Sequence, residues 1–426
     1  MKAADILSIP DLKRRIWVVV ICFAIFAFGT HVPLPGINRE ALKNINSGVL
    51  GLFNMFSGGA LERFSIFALG VLPYINASIM MQLLTFSVEP LKEMVKERGE
   101  EGRRVIAKWT RYITVFLAFF EGVSVIKFFE VGAGPKLFLH SGWFSYFVVL
   151  VSVTAGSCYL MWLGEQISNK GIGEGISLII FAGILINLPW RMGMELGIVS
   201  HDMTKVALLV VYILGLVGML YAIVYVEMAE RRIPVRYARR QVGGRTYVAS
   251  GTSYLPMKVN IGGVIPIIFA ITFLMIPQLI AGFVGKPGSW FGQFASNLQQ
   301  GSGWPYLIAL MFLTLISNHF YSAVVFKPDE ISDNLKNMGG FIPGVRPGEQ
   351  TTDYISRIQE KVTWMGGIYL ALLGSAPFLL SQILFGTSNR ILFSGTGLLI
   401  VVGVGLDFVR QLEAHVVSRH YEGFIK

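Results

Sequence analysis

Side chains in patterns that could carry out catalysis or bind a metal are sparse in this sequence. The six histidines are scattered, and no Cys/His group has metal-site spacing. A GxxxxGK[ST] phosphate loop and an HExxH motif are both missing from the sequence. Cys22 and Cys158 lie in apolar runs and fit small core residues better than a disulfide. We therefore expect a protein that is not an enzyme and needs no cofactor, and that takes its energy from another protein or an ion gradient.

The spacing of isoleucines suggests a different chemistry, the exclusion of water. Ile75 and Ile79 are four residues apart, as are Ile180 and Ile184, so each pair shares one helix face. A ring of such side chains would exclude ions by dewetting and would make no directional bonds to a varied substrate. Packed or lipid-facing isoleucines would give the same pattern, and the residues alone favour that alternative. The candidates are Ile75, Ile79, Ile180, Ile184, Ile265, Ile268 and Ile400.

Ionisable residues are almost absent from the apolar runs. Glu121 lies well inside one, whereas Glu227, Asp407 and Arg410 lie near the ends of others. Ion-coupled transporters place several ionisable groups at mid-depth. A single carboxylate without an evident partner makes a poor proton relay, so we interpret Glu121 as a packing contact or part of a wetted wall.

Composition indicates that a membrane must position these residues. The chain is 53% hydrophobic and 15% charged, whereas soluble domains carry about 25% charged residues. The pattern predicts a polytopic membrane protein, with a first span that is retained rather than cleaved as a signal. The ten predicted spans are 16–32, 71–88, 112–130, 143–163, 172–188, 206–226, 262–282, 305–326, 362–385 and 391–409.

The second apolar run, residues 57–88, is interrupted near its middle. Gly70 and Pro73 would divide it into a short piece and a longer one. Ser57–Leu69 is too short to cross a bilayer and too apolar for an ordinary loop. Irregular backbone at membrane depth requires protein or a water-filled cavity around it. We predict a broken helix whose short half lies inside the mouth of a cavity; the alternative is an anchor helix with an interfacial lead-in.

The distribution of positive charge predicts the orientation. Of the 36 Lys and Arg residues, 27 fall on the side of the N-terminus, so both termini and the long loops 227–261 and 327–361 should be cytoplasmic. The net charge of +10 reflects this rule first, although ribosomal RNA could exploit it. Ten spans divide into halves 1–204 and 205–426, and five-span halves would form an inverted repeat with a pathway between them.

The two long loops carry ordered motifs. RRIPVRYARR leads through Gly243-Gly244 to Arg245, which predicts a basic β-hairpin projecting from the membrane. A solvated loop that only fixes topology is the alternative. In GGFIPGVRPGEQT, the prolines and glycines predict a defined series of turns with Arg346 at the tip.

Six stretches along the chain together resemble the SecY family of protein-translocon channel subunits, bacterial type. They run from the second span to the tenth, so the resemblance covers essentially the whole chain. The stretches are FALGVLPYINASIMMQLL, GIGEGISLIIFAGI, RRIPVRYARRQVGGR, YLPMKVNIGGVIPIIFA, GGFIPGVRPGEQT and GLLIVVGVGLDF. Gly403 and Gly405 depart from the bulkier aliphatic residues common in this family.

This resemblance implies an all-α polytopic membrane protein, with two five-helix inverted-repeat halves around a central hourglass pore. The isoleucines above would form the pore ring, and Ser57–Leu69 would be a plug on its outer side. Spans 2 and 3 against 7 and 8 would form a lateral gate. The implied plug and hinge residues are Ser57, Gly58, Glu62, Arg63, Phe64, Gly70 and Pro73. The implied docking residues are Arg231, Arg232, Arg236, Arg239, Arg240, Arg245 and Arg346.

The implied function is passage of unfolded secretory polypeptides across the cytoplasmic (inner) membrane, with lateral release of signal sequences and membrane segments. The implied partners are SecE, SecG, the SecA ATPase, the ribosome through its RNA, signal peptides, nascent chains and anionic lipids. A small-solute transporter and a structural scaffold are the alternatives. The scarcity of mid-membrane charge argues against the first, and the broken second span and ordered loops against the second. We expect the side chain of Val149, in the fourth span, to face lipid.

Overall fold

The computed structural model is mostly helical. It describes residues 10–38, 54, 56–133, 138, 142–199, 203–237, 240–242, 245–247, 253–284, 289–298, 303–385 and 395–424. The helices are α1 Pro10–Gly29, α2 Leu72–Ser87, α3 Glu89–Arg98, α4 Glu100–Ala133, α5 Trp143–Lys170, α6 Gly175–Val199, α7 Met203–Glu227, α8 Ile265–Val284, α9 Trp290–Asn297, α10 Trp304–Val325, α11 Pro328–Asn337, α12 Glu349–Phe385 and α13 Gly395–Phe424.

Each predicted span overlaps a helix of the structure. Within the described part of the chain, six stretches are long and apolar enough to cross a membrane: Glu100–Lys127, Trp143–Lys170, Val206–Glu227, Trp304–Asn337, Glu349–Leu384 and Gly395–Val416. Gly175–Pro189 and Ile265–Pro277 are shorter apolar helices, and Pro189 and Pro277 lie at their ends within α6 and α8. The count of ten spans stays a prediction.

The helices pack in two groups. In the first group, α2 contacts α4, α4 contacts α5, α5 contacts α6, and α1 contacts α5 and α6. In the second, α8 packs on α10, α10 on α12, and α7, α12 and α13 on one another. The groups meet where α6 contacts α7 and α13, and where α4 contacts α8. One apolar cluster runs through both groups.

The predicted break in the second span is present, but its short half is not a helix. Residues 57–71 form a series of turns, and α2 begins only at Leu72, with Pro73 in its first turn. Gly58, Gly59 and Gly70 have φ of 67°, 81° and 59°, and Phe64 has φ of 45°. This left-handed backbone cannot continue a right-handed helix, which explains why the segment turns repeatedly.

Both predicted cytoplasmic loops contribute to one sheet. The strands are β1 Glu230–Tyr237, β2 Arg240–Val242, β3 Arg245–Tyr247, β4 Ser253–Lys258 and β5 Gly340–Phe341. β1 is central and pairs antiparallel with β4 and β5. β2 and β3 form the predicted hairpin, with Val242 opposite Arg245; Gly243-Gly244 lie outside the described residues.

The sheet encloses a small apolar core of its own. Ile233 and Val235 from β1 pack with Met257 from β4, and α11 and α12 cover them with Leu335 and Ile355. The two loops and these helix ends therefore form one unit, which we name the docking platform: β1, β4, β5, α11 and the first turns of α12. The strands add to the predicted all-helical fold without changing its class.

Candidate functional site

The segment 57–69, which we name the plug segment, lies directly against three helices at glycines. A Cβ on Gly156 of α5 would lie 1.9 Å from the carbonyl oxygen of Ile66. A Cβ on Gly58 would lie 3.1 Å from Cα of Gly183 in α6, and one on Gly29 of α1 would lie 2.0 Å from the ring of Phe67. The seat of the plug segment therefore requires a missing side chain at each of these contacts.

Aromatic rings fill the space between the plug segment and the helices. Phe67 stacks between Phe26 and Tyr159, with ring centroids 6.1 Å from each. Phe64 meets Phe129 of α4 edge to face at 4.5 Å, a contact worth about 1 kcal/mol beyond area burial. Phe64 and Phe67 are each 2% exposed, so this face of the segment is packed as a protein core.

The opposite edge of the plug segment carries polar contacts. Asn54 Nδ2 donates to Glu62 Oε2 at 2.7 Å, and the Glu62 N–H donates to Asn54 Oδ1 at 3.1 Å. The Arg63 guanidinium meets Nε2 of His31 just after α1. Ser57 and Gly70 approach one another at the base, where a Cβ on Gly70 would lie 3.2 Å from Cα of Ser57.

The seven candidate ring isoleucines all belong to the main apolar cluster or pack against it. Ile75, Ile79, Ile180, Ile184, Ile268 and Ile400 are buried members of the main apolar cluster, and Ile265 packs against it partly buried. They come from α2, α6, α8 and α13, hence from both helix groups. Val149, expected to face lipid, is instead fully buried at 0% exposure, because it lies on the face of α5 that packs in the cluster.

A chain of hydrogen bonds links the two helix groups where α4 contacts α8. Asn76 Nδ2 of α2 donates to Glu121 Oε1 of α4 at 2.7 Å, and Thr272 Oγ1 of α8 donates to Asn76 Oδ1 at 3.2 Å. Glu121 is therefore buried with a specific hydrogen-bond partner on another helix, which its isolation in the sequence did not indicate. Sequence reasoning did not identify Asn76 or Thr272 as site residues. The detectable signal was Asn76, an amide between Ile75 and Ile79 in an otherwise apolar helix.

An aromatic pair also joins the two helix groups, further along α2. Phe86, near the end of α2, and Phe320 of α10 meet edge to face, with ring centroids 6.3 Å apart. Both rings are also partly accessible, at 42% and 40% exposure. We name the line from Thr272–Asn76 to Phe86–Phe320 the seam. Among the described residues, one polar and one apolar side-chain contact cross it.

The basic docking candidates lie on the central strand of the platform, in the turns after β5 and on the neighbouring β2–β3 hairpin. Arg231, Arg232 and Arg236 are exposed on β1, whose buried side is formed by Ile233 and Val235. Arg236 pairs in register with Phe341 of β5, so it lies beside the turns that carry Arg346. Arg240 and Arg245 belong to β2 and β3, and Arg239 lies outside the described residues.

Arg346 is held at an exposed tip by a tightly bonded turn. The Val345 N–H donates to the Ile342 carbonyl at 3.1 Å, and Thr351 Oγ1 donates to the Arg346 carbonyl at 2.9 Å. Ser332 Oγ of α11 donates to the carbonyl of Gly348 at 3.0 Å. The Arg346 guanidinium has no protein partner among the described residues, which leaves its five donors available to a ligand.

The described side chains that meet at this site are mostly apolar. Groups of three or more His, Cys, Asp or Glu side chains that could hold a metal ion do not occur in the described part of the chain. What the structure brings together is one large apolar cluster, the plug segment packed within it, and a seam between two helix groups.

Known proteins resemble this chain over nearly its whole length. The SecY family model matches residues 65–409. Protein translocase subunit SecY of Streptomyces galbus is 38% identical, over 98% of this chain and 98% of its own. A protein-conducting channel of solved structure matches with a TM-score of 0.68 at 20% identity, covering 95% of this chain and 93% of that one. Sec61 in the canine ribosome–channel complex from the endoplasmic reticulum matches with a TM-score of 0.65 at 19% identity, covering 95% and 93%.

Proposed function

The chain belongs to the SecY family, and from this premise we propose the route by which a polypeptide crosses it. It is a multi-pass membrane protein and the channel subunit of a protein translocase, not an enzyme. Unfolded secretory chains pass between helix groups 1–204 and 205–426, through the ring of seven isoleucines. The observation that supports this route is that both helix groups contribute these isoleucines to the apolar cluster that runs between them.

The plug segment closes this route at rest. The position of the plug segment in the chain supports this role, because the segment leads directly into α2, which carries Ile75 and Ile79. Gly70, at φ 59°, and Pro73, in the first turn of α2, form the hinge. Ser57, Gly58 and Phe64 lie in the packed seat, and Glu62 and Arg63 form the polar edge.

The seam between α2, α4, α8 and α10 serves as the lateral gate. A signal sequence is an apolar helix, and a seam open to lipid sorts it by hydrophobicity. The exposed rings of Phe86 and Phe320 support this, since an entering apolar helix can replace their mutual contact with its own.

The protein lies in the cytoplasmic membrane with both termini and the docking platform in the cytoplasm. The charge bias of the sequence supports this orientation. On the platform, Arg231, Arg232, Arg236 and Arg346, with Arg239, Arg240 and Arg245 of the neighbouring hairpin, bind the SecA ATPase or the ribosome. The match to Sec61 in a ribosome complex supports the second partner. SecE and SecG complete the channel, and anionic lipids contact its basic face.

Removing one hydrogen bond from the seam should ease lateral opening. Thr272→Val keeps the shape of the side chain but deletes its bond to Asn76. A net hydrogen bond is worth about 1 kcal/mol, which corresponds to a shift of about fivefold toward the open seam. We expect export of a reporter with a weakened, less apolar signal sequence to rise about fivefold.

Thr314→Val on α10 is the matched control. The Thr314 hydroxyl is also buried, but it bonds to the Leu310 carbonyl of its own helix and crosses no seam. Export that rises equally in both variants, or in neither, would contradict the role of Thr272.

Crosslinking to a stalled chain tests the proposed route directly. A photoreactive residue placed at Ile79 or at Ile268 should crosslink to a secretory polypeptide halted in transit. The same group at Phe312, which is 63% exposed on the outer face of α10, should not. Crosslinks at Phe312 alone, or transport of a small solute without any crosslink, would overturn the route.

A further inference from the structure

A buried polar pair joins the end of α7 to the chain that leads into α8. Asn260 is 3% exposed. Its Nδ2 donates to Glu227 Oε1 at 2.6 Å and to the carbonyl oxygen of Gly263 at 3.0 Å. One amide therefore ties the last residue of α7 to a residue just before α8. A buried polar group that is bonded in this way fixes geometry, because losing either bond leaves an unsatisfied partner.

The pair lies at the base of the docking platform. Glu230, the first residue of β1, pairs with Lys258, the last residue of β4. Beyond this pair, the Val259 N–H donates to the Ala229 carbonyl at 3.2 Å. The ladder between the strands thus continues to the point where both enter the helices. Residues 259–264 are all that separate β4 from α8.

Neighbouring helices confine this short connection. A Cβ on Gly366 of α12 would lie 2.6 Å from the Val259 carbonyl, and one on Gly262 would lie 3.2 Å from Asn318 Oδ1 of α10. Gly263 then turns the chain at φ 58°. Two consecutive glycines would absorb movement if the chain before them were loose. Asn260 removes that freedom because its bond to the Gly263 carbonyl spans both glycines.

We propose that the Glu227–Asn260 pair positions α8 relative to the docking platform and transmits platform displacement to the seam. The inference rests on the proposed docking function. A cytoplasmic partner that pulls on β1 and β4 moves Asn260 with them. Because Asn260 is bonded to Gly263, α8 follows, and it carries both Ile268 of the ring and Thr272 of the seam.

The test compares seam opening with partner binding in the complete membrane-embedded translocase. Cys22 and Cys158, the chain's two cysteines, are first replaced by alanine. Phe86→Cys and Phe320→Cys then report the seam through a short bifunctional thiol reagent, with and without SecA and a nonhydrolysable ATP analogue. SecA should lower crosslinking about threefold in the parent and should leave it unchanged in Asn260→Ala and in Glu227→Ala. SecA affinity should stay within about twofold in both.

Glu227→Gln is the conservative control, because its side-chain carbonyl still accepts the Asn260 hydrogen bond. It should restore the response of the seam to SecA. A parental response in both alanine variants would overturn the inference and leave the docking function intact. Loss of both alanine variants from the membrane would also overturn it, because the pair would then be a folding requirement. Absence of SecA binding in the parent would contradict the proposed docking function itself, whereas SecA binding without a seam response in the parent would overturn the inference.

Discussion

Replacing Gly156 by leucine is expected to raise resting ion leak through the channel by at least about fivefold. The new side chain would begin 1.9 Å from the carbonyl oxygen of Ile66, and that atom belongs to backbone that cannot rotate away. Overpacking of this kind costs about 1–3 kcal/mol, and each 1.4 kcal/mol shifts the seated fraction of the plug segment about tenfold. Ion flux into vesicles containing the purified complex measures the effect.

Gly218→Leu on α7 provides the control for this substitution. Gly218 is an exposed helical glycine, and a Cβ added to it would meet no other atom within 4 Å, so leucine there should leave the leak unchanged. Deletion of Ser57–Leu69 should raise the leak without abolishing secretion. Gly156→Leu channels as tight as the parent would show that the segment does not close the path from this seat.

Reversing the charge at Arg346 should nearly abolish export while the protein itself still inserts into the membrane. The guanidinium lies at an exposed tip whose backbone is fixed by bonds from Thr351 and Ser332. An arginine fixed in this way fits bidentate binding of carboxylate or phosphate. A glutamate there replaces attraction by repulsion, and breaking such a charge contact typically costs about 2–5 kcal/mol. We expect the export rate to fall by more than about tenfold.

Two further substitutions isolate the role of this site. Arg346→Lys keeps the charge but loses the planar fork, so export should be intermediate. Arg104→Glu reverses the charge of an exposed arginine in α4, where the side chain is 82% accessible and pairs at 3.8 Å with Glu100, and should export normally. Normal export by Arg346→Glu would remove this residue from the docking surface.

Sequence reasoning located the break before α2, the shared helix faces of the isoleucine pairs and the turns around Arg346 because their signals are local. Gly70 and Pro73 were sufficient to predict the break before α2, since both residues act on their own backbone. The repeated four-residue spacing of Ile75/Ile79 and Ile180/Ile184 placed each pair on one helix face. The turns around Arg346 followed from the prolines and glycines that flank it.

The relations between elements were beyond the reach of the sequence. Nothing local in Arg236 or Phe341 indicates that the two loops share a sheet, because their pairing joins residues about a hundred positions apart. The partner of Glu121 was hidden for the same reason, since Asn76 and Thr272 come from other helices. The prediction of a short helix before α2 was wrong because left-handed φ at Phe64 leaves no mark in composition.

Because both loops share one sheet, a partner can remain bound to the channel during transport. Every strand and helix of the docking platform is connected in the chain to α7, α8, α10 or α12, and these helices belong to one of the two groups. A partner bound to the platform therefore contacts only the second helix group and makes no contact through the platform with the first. We expect the binding surface of the partner to stay the same when the two helix groups separate. A motor or ribosome would then not need to dissociate for the channel to change width.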